Sequence, residues 1–197
     1  MWNNSPNNPY TSSGLAGAGA ASPATASIQA ASRAGLIITF VISQALLVMA
    51  GIAAYLGIQN VPPGAQAFRF DSGSILFLGI GFGVFFINCV LAFVLPMAMK
   101  AKAIQDFRSA GEPLPHPLNE DTELPPSARS LLSASATWRL ISQALLEGGA
   151  MINAVFLFVE SNMIFAIPVL IAFVGIGIQA PFGSRLRAML ENAAAGD

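Results

Sequence analysis

The chain has 197 residues, of which 54% are hydrophobic and only 10% charged, and its formal net charge is −1. Soluble domains average about 25% charged residues, so this composition excludes an ordinary water-facing globule and points to lipid as the solvent. A nearly neutral balance excludes the basic face that nucleic acid asks for, and a single cysteine, Cys89, excludes an internal disulfide.

Residues 1–22 are built from Asn, Ser, Pro, Gly and Ala, with no base and no apolar run. They lack the features of a signal peptide and are expected to be a disordered tail. Four stretches are then long enough to cross the hydrocarbon: about 35–58, 74–99, 140–159 and 162–180. The first, second and fourth carry no charge, and the third carries one acid, Glu147. All four are apolar around the whole helix, as lipid-facing helices are. The connection after the first holds Pro62-Pro63-Gly64. The connection after the second begins as a helical continuation past Pro96 and becomes the Pro-rich segment Pro113-Leu114-Pro115-His116-Pro117, read as an extended linker over 111–126. The final turn is short, Glu160-Ser161-Asn162.

A duplication organises these stretches. Ile42-Ser43-Gln44-Ala45-Leu46-Leu47 recurs letter for letter as Ile141-Ser142-Gln143-Ala144-Leu145-Leu146. A looser match follows: Pro96, Lys100, Lys102, Ala103 and Asp106 have counterparts in Pro181, Arg185, Arg187, Ala188 and Glu191. The expected fold is therefore an all-α membrane bundle of four transmembrane helices, built as two parallel helical-hairpin repeats, 23–110 and 127–192, joined by the linker. Lys and Arg in short loops mark the cytoplasmic side. Arg33, Lys100, Lys102, Arg108, Arg129, Arg139, Arg185 and Arg187 fall on one side of this arrangement and only Arg69 on the other. Both termini and the linker are thus expected in the cytoplasm, with the protein in the cell membrane.

Glu147 is the sharpest candidate for chemistry, because a charge deep in a span costs about 2.5–3.5 kcal/mol on insertion scales. Gln143 lies one helical turn before it. Gln44 and Asn88 are candidate polar neighbours from other spans. One reading is a buried acid that fixes how the helices dock, and the other is a carboxylate that handles a proton or ion. Gly79 with Gly83 and Ala53 with Gly57 match the small-xxx-small pattern of close helix packing. His116 stands alone in the linker, so neither a metal site nor a Ser-His-Asp set is indicated, and no cofactor fingerprint occurs.

Residues 138–181, with Arg139, then Ala144-Leu145-Leu146-Glu147-Gly148, then Asn153 before a short turn, resemble a segment of small uncharacterised bacterial inner-membrane proteins. The resemblance implies a bacterial inner membrane and no particular activity. A two-hairpin layout with a membrane carboxylate and glycine-rich helices also resembles the proteolipid ring subunits of rotary ATPases. Here, however, the acid is in the first helix of its hairpin, the glycines are in the second, and the hairpin loops are expected outside. The function indicated is a non-enzymatic membrane protein that assembles through helix packing, with itself or with a larger membrane complex. The alternative is an ion- or proton-coupled transport component using Glu147.

Overall fold

A lipid-embedded backbone must satisfy its own hydrogen bonds, and an uncharged run does so as a helix. The computed structural model describes residues 26–61, 68 and 70–195, and among these every regular element is helical. The tail 1–22, Pro62-Pro63-Gly64 and Arg69 lie outside the described residues. The elements are α1 (Ile28–Gln59), α2 (Ser72–Ala110), α3 (Pro126–Glu160), a 3-10 turn (Met163–Phe165), α4 (Ala166–Ile178) and α5 (Gly183–Ala195).

Their ends have local causes. The Ser27 hydroxyl accepts from the Ala30 N–H at 3.2 Å and starts α1, and an Asp71 carboxylate oxygen accepts from the Ser74 N–H at 2.8 Å and starts α2. Gly111, at φ 64°, supplies the left-handed residue that ends α2. Pro125 cannot cap α3 with its side chain, and the job falls to Glu112, whose Oε2 accepts from the Ser127 N–H at 2.9 Å.

α1, α2 and α3 have 32, 39 and 35 residues. At 1.5 Å per residue they are roughly 48, 58 and 52 Å long, well beyond the ~30 Å of hydrocarbon. Each is long and apolar enough to cross a membrane. The fourth apolar stretch behaves differently. Its helix α4 has only 13 residues, and it meets α5 at a bend of 65°. It passes as a span only together with α5 as one bent unit. The break falls at Ala180-Pro181-Phe182, where proline denies the helix an N–H.

α3 is the centre of the packing. In its most apolar window 44% of residues are buried, against 11% for α1 and 17% for α2. α2 runs antiparallel to it, pairing Gly81 with Asn153, Ala92 with Ser142, and the Phe77 and Phe156 rings edge to face at 5.4 Å. α1 runs parallel to it, with Thr39 at Gln143 and Gly57 at Leu157. α1 and α2 pack chiefly against α3 and scarcely against each other, whereas α3 and α4 do pack together. Gly57 shows how close the approach is: a Cβ there would lie 2.9 Å from the Leu157 carbonyl oxygen.

Two separate cores result. One lies along the apolar helices, around Leu46, Phe85, Leu146, Ala150, Phe165 and Ile176. The other gathers the start of α1, the end of α2, the start of α3 and α5 around Ile28, Phe107, Leu131, Leu132, Leu186 and Leu190. The Pro-rich segment is part of this second core, with Leu114, Leu118 and Leu124 buried. A fully buried leucine contributes about 1.5–3 kcal/mol, and these three hold the segment against the helices. Backbone bonds reinforce it, from the Gln29 N–H to the Glu120 carbonyl (3.0 Å) and from the Leu124 N–H to the Ala26 carbonyl (3.1 Å). The linker over 111–126 is therefore packed against the helices as an internal staple.

The Glu112 cap makes this end of the molecule sensitive to acid. The Ser127 hydroxyl and backbone N–H beside Glu112 hold its carboxyl below the usual carboxylate range. A lowered folded-state value contributes stability above the ordinary value, and that contribution is lost as pH falls through the folded one. Glu112→Gln should therefore unfold less steeply with acid below about pH 4.5 than wild type does, measured as melting temperature against pH. An unchanged acid limb would count against the cap.

Candidate functional site

Between the two cores lies a belt of polar side chains, and proline chemistry explains its first member. Pro96 sits inside α2 and has no N–H to give the Ala92 carbonyl four residues earlier. The Ser142 hydroxyl of α3 donates to that carbonyl instead. Both Ala92 and Ser142 are buried, so water does not compete. Neighbouring serines rescue carbonyls freed by proline in this way within membranes. The second matched proline, Pro181, has its carbonyl taken by the buried Ser32 hydroxyl of α1 at 2.7 Å. Thus the two matched prolines are both tied to other helices, though Pro96 lies within a helix and Pro181 at a helix break.

Gln143 is buried at 1% exposure and donates through Nε2 to the Thr39 hydroxyl of α1 at 2.9 Å. The partner is Thr39 and not Gln44. The parallel register of α1 and α3 places Thr39 opposite Gln143, and Gln44 stands five residues further along α1 with an exposed side chain. The two copies of the hexapeptide therefore present their glutamines to different surroundings. Asn88 is half-buried on α2, where its Nδ2 would lie 3.2 Å from a Cβ added at Gly149. Glu147 is half-buried. Among the described residues no hydrogen bond joins any two of Glu147, Gln143, Gln44 and Asn88, so the expected polar cluster around Glu147 does not assemble within one chain.

The amide that does bridge α2 and α3 deep in the bundle is Asn153. It is fully buried and donates to the carbonyls of Gly81 and Gly149, each at 2.9 Å. Gly81 is required there, because a Cβ would lie 2.6 Å from Asn153 Oδ1. Of the two small-residue pairs, Ala53 and Gly57 face α3. Gly79 and Gly83 are exposed, and nothing lies within 4 Å of where their Cβ atoms would be. Asn153 is, like Asn88, a lone amide in an apolar run, a residue type expected to bridge helices, whereas Thr39 and Ser142 were not prominent in the sequence. Their signal was only that each is a hydrogen-bonding side chain within an apolar run.

Arg139 completes the belt. It is half-buried, and its Nη2 reaches the Ser135 hydroxyl at 3.4 Å. It borders two cavities. One, of about 230 Å³, lies between α1, α3 and α5 beside Gly35, Thr39, Ser135 and Gln143. The other, of about 330 Å³, lies between α2, α3 and the end of α4. Among the described residues no group of His, Cys, Asp and Glu could hold a metal ion. The chain was compared with protein-family models, curated proteins and solved structures, and none matches it. The site's chemistry therefore rests on its own geometry: it is a set of helix-to-helix hydrogen bonds beneath an arginine.

The Pro96–Ser142 relation can be tested as a double-mutant cycle. Ser142→Ala should cost about 1–3 kcal/mol by leaving a buried carbonyl unpaired. In a Pro96→Ala background α2 regains its own bond to Ala92, and the same change should cost at least about 1 kcal/mol less. SDS titration in mixed micelles reads both values, and equal costs in the two backgrounds would show that Ser142 does not serve the freed carbonyl.

Proposed function

We propose that this is a non-enzymatic cell-membrane protein that assembles through helix packing, with a second copy of itself as the first partner to seek and a larger membrane complex as the second. The several long apolar helices support the membrane setting. The observation that carries assembly is the outer face of α2. Gly79 and Gly83 form a small-xxx-small ridge that no part of this chain covers among the described residues. α2 meets α3 through Gly81, Phe85 and Ala92 instead, on its other side. Without a hydrophobic driving force between helices in lipid, close backbone approach at such ridges is a main source of association. Gln44, exposed on α1 within an apolar run, likewise fits a contact outside the chain. Cysteines placed at Gly79 or Gly83 in a Cys89→Ala background should form disulfide-linked dimers in native membranes, and one at Leu91, a third of a turn away on α2, should not. No linked species at either glycine, together with a monomer that carries no second protein through gentle purification, would overturn the reading.

In this proposal the protein has four spans, the fourth over about 162–180 with α5 bent away from it, and both ends and the second core lie in the cytoplasm. The eight bases that cluster at the second-core end support that orientation. The repeated hexapeptide and the matched proline segments support descent from a duplicated pair of spans inserted in the same direction. Thiols introduced at Asn60 should react with an impermeant reagent in intact cells, and thiols at His116 and Ala194, all three sites being exposed, should not. The opposite pattern would invert the model.

A second reading keeps Glu147 as a proton- or ion-coupling group, favoured by its half-buried position without a hydrogen-bond partner among the described residues. Proteoliposomes under an imposed potential discriminate. Proton or cation uptake by wild type that Glu147→Gln abolishes supports this reading, and equal uptake, or none, rejects it.

A further inference from the structure

The cavity of about 330 Å³ between α2, α3 and the end of α4 has the chemistry of a lipid seat. Its polar edge carries Lys100, Arg139, Trp138 and Gln179, and its wall below is Phe93 and Met97. The apolar wall faces outward: Phe93 is 63% and Met97 68% exposed, so both belong to the lipid-facing surface of α2. The polar edge lies just where the apolar core gives way to the second core. This is the interfacial level, at which indole rings and basic side chains settle.

Arg139 gives the cavity its sign. A half-buried guanidinium is normally matched by an anion, since burial of a charge without a counter-charge is costly. Among the described residues two ion pairs, Arg129–Glu123 and Arg187–Glu191, occupy other bases at this end, and no carboxylate reaches Arg139. Its one bond, to Ser135 at 3.4 Å, leaves most of its donors unused. Gln179 contributes a second mismatch, a buried Oε1 with no hydrogen-bond donor among the described residues. An anion in the cavity would answer the unmatched guanidinium.

We propose that this cavity binds the headgroup of an anionic glycerophospholipid. The phosphate lies between Arg139 and Lys100 at the polar edge, and an acyl chain runs along Phe93 and Met97. Basic pockets between spans on the cytoplasmic face bind anionic headgroups for the same physical reason, attraction at low dielectric beside an apolar wall. The inference does not depend on self-assembly, and a monomer can satisfy it.

Thermal unfolding of the full-length protein in neutral detergent tests it. Short-chain phosphatidylglycerol should raise the unfolding temperature saturably. Phosphatidylcholine of the same chain length and inorganic phosphate at the same concentration should not. Lys100→Gln, a change at an exposed side chain, should raise the half-saturating concentration about fivefold, and adding Arg139→Gln about twentyfivefold. Lys102→Gln removes an equal charge outside the cavity and should leave it unchanged. A response to phosphatidylcholine equal to that to phosphatidylglycerol overturns headgroup recognition. An equal response to inorganic phosphate makes this a free-anion site. If the double variant does not fold, Lys100→Gln alone decides, and an unaltered half-saturation there removes the lipid from this cavity.

Discussion

A carbonyl without an N–H partner cannot stay unpaired in hydrocarbon, and the position of α2 against α3 follows from that rule. Pro96 strips Ala92 of its helical donor, and the Ser142 hydroxyl takes the donor's place. With the antiparallel register set at that point, Asn153 meets the Gly81 carbonyl three turns deeper, and Phe77 meets Phe156 beyond it. In the other direction the same register brings Ala103 and Phe107 beside Leu131 in the second core. α3 holds α1 with Gln143 and α2 with Ser142, from adjacent residues pointing about 100° apart. Two consecutive polar residues in the repeated hexapeptide thus serve two different neighbours.

The length of the helices has its own consequence. Helices of 32 to 39 residues overshoot the hydrocarbon by roughly 20 Å or more. An overshoot in water needs its own buried surface, and α5 and the leucines of the Pro-rich segment supply it. The bend of 65° after α4 serves the same end, since it lays α5 across the projecting ends instead of continuing outward. Arg108 ties the far end, its Nε donating to the Ala193 carbonyl at 3.0 Å.

The apolar helices were legible because uninterrupted hydrophobic runs admit one backbone solution in lipid. The continuation past Pro96 was legible from the bases and the absence of another breaker. The second core was not. Proline content dominated the reading of 111–126: Pro113, Pro115 and Pro117 rule out a helix around Leu114 and Leu118 despite their spacing of four, so their burial was not flagged. The turn at Glu160-Ser161-Asn162 was legible, with Ser161 at φ 50° and Asn162 fully buried, but the short α4 was hidden because composition counts the 3-10 turn at Met163–Phe165 like any helical residues. Among the site residues, Gln143 stood out in the sequence, but its partner did not. The exact repeat invited a pairing of Gln44 with Gln143, while register is set by which hydroxyl faces which amide.

The distribution of polar groups separates two jobs along the same helices. Deep in the bundle, Asn153 spends both its N–H groups on carbonyls, and at the level of Pro96 the Ser142 hydroxyl and the Gln143 amide are likewise committed within the chain. Such groups fix geometry and have little left for a ligand. At the interfacial level Arg139 and Gln179 keep donors and an acceptor unspent. On the outer faces of α1 and α2, Gln44 and the Gly79–Gly83 ridge keep shape and polarity that lipid chains do not need. A sequence that commits the N–H groups of Asn153 and Gln143 inside its own bundle, yet leaves an arginine and a glycine ridge open where lipid and other helices arrive, places unmet interactions where a membrane supplies partners. That placement is the physical basis of the proposed recognition within the bilayer.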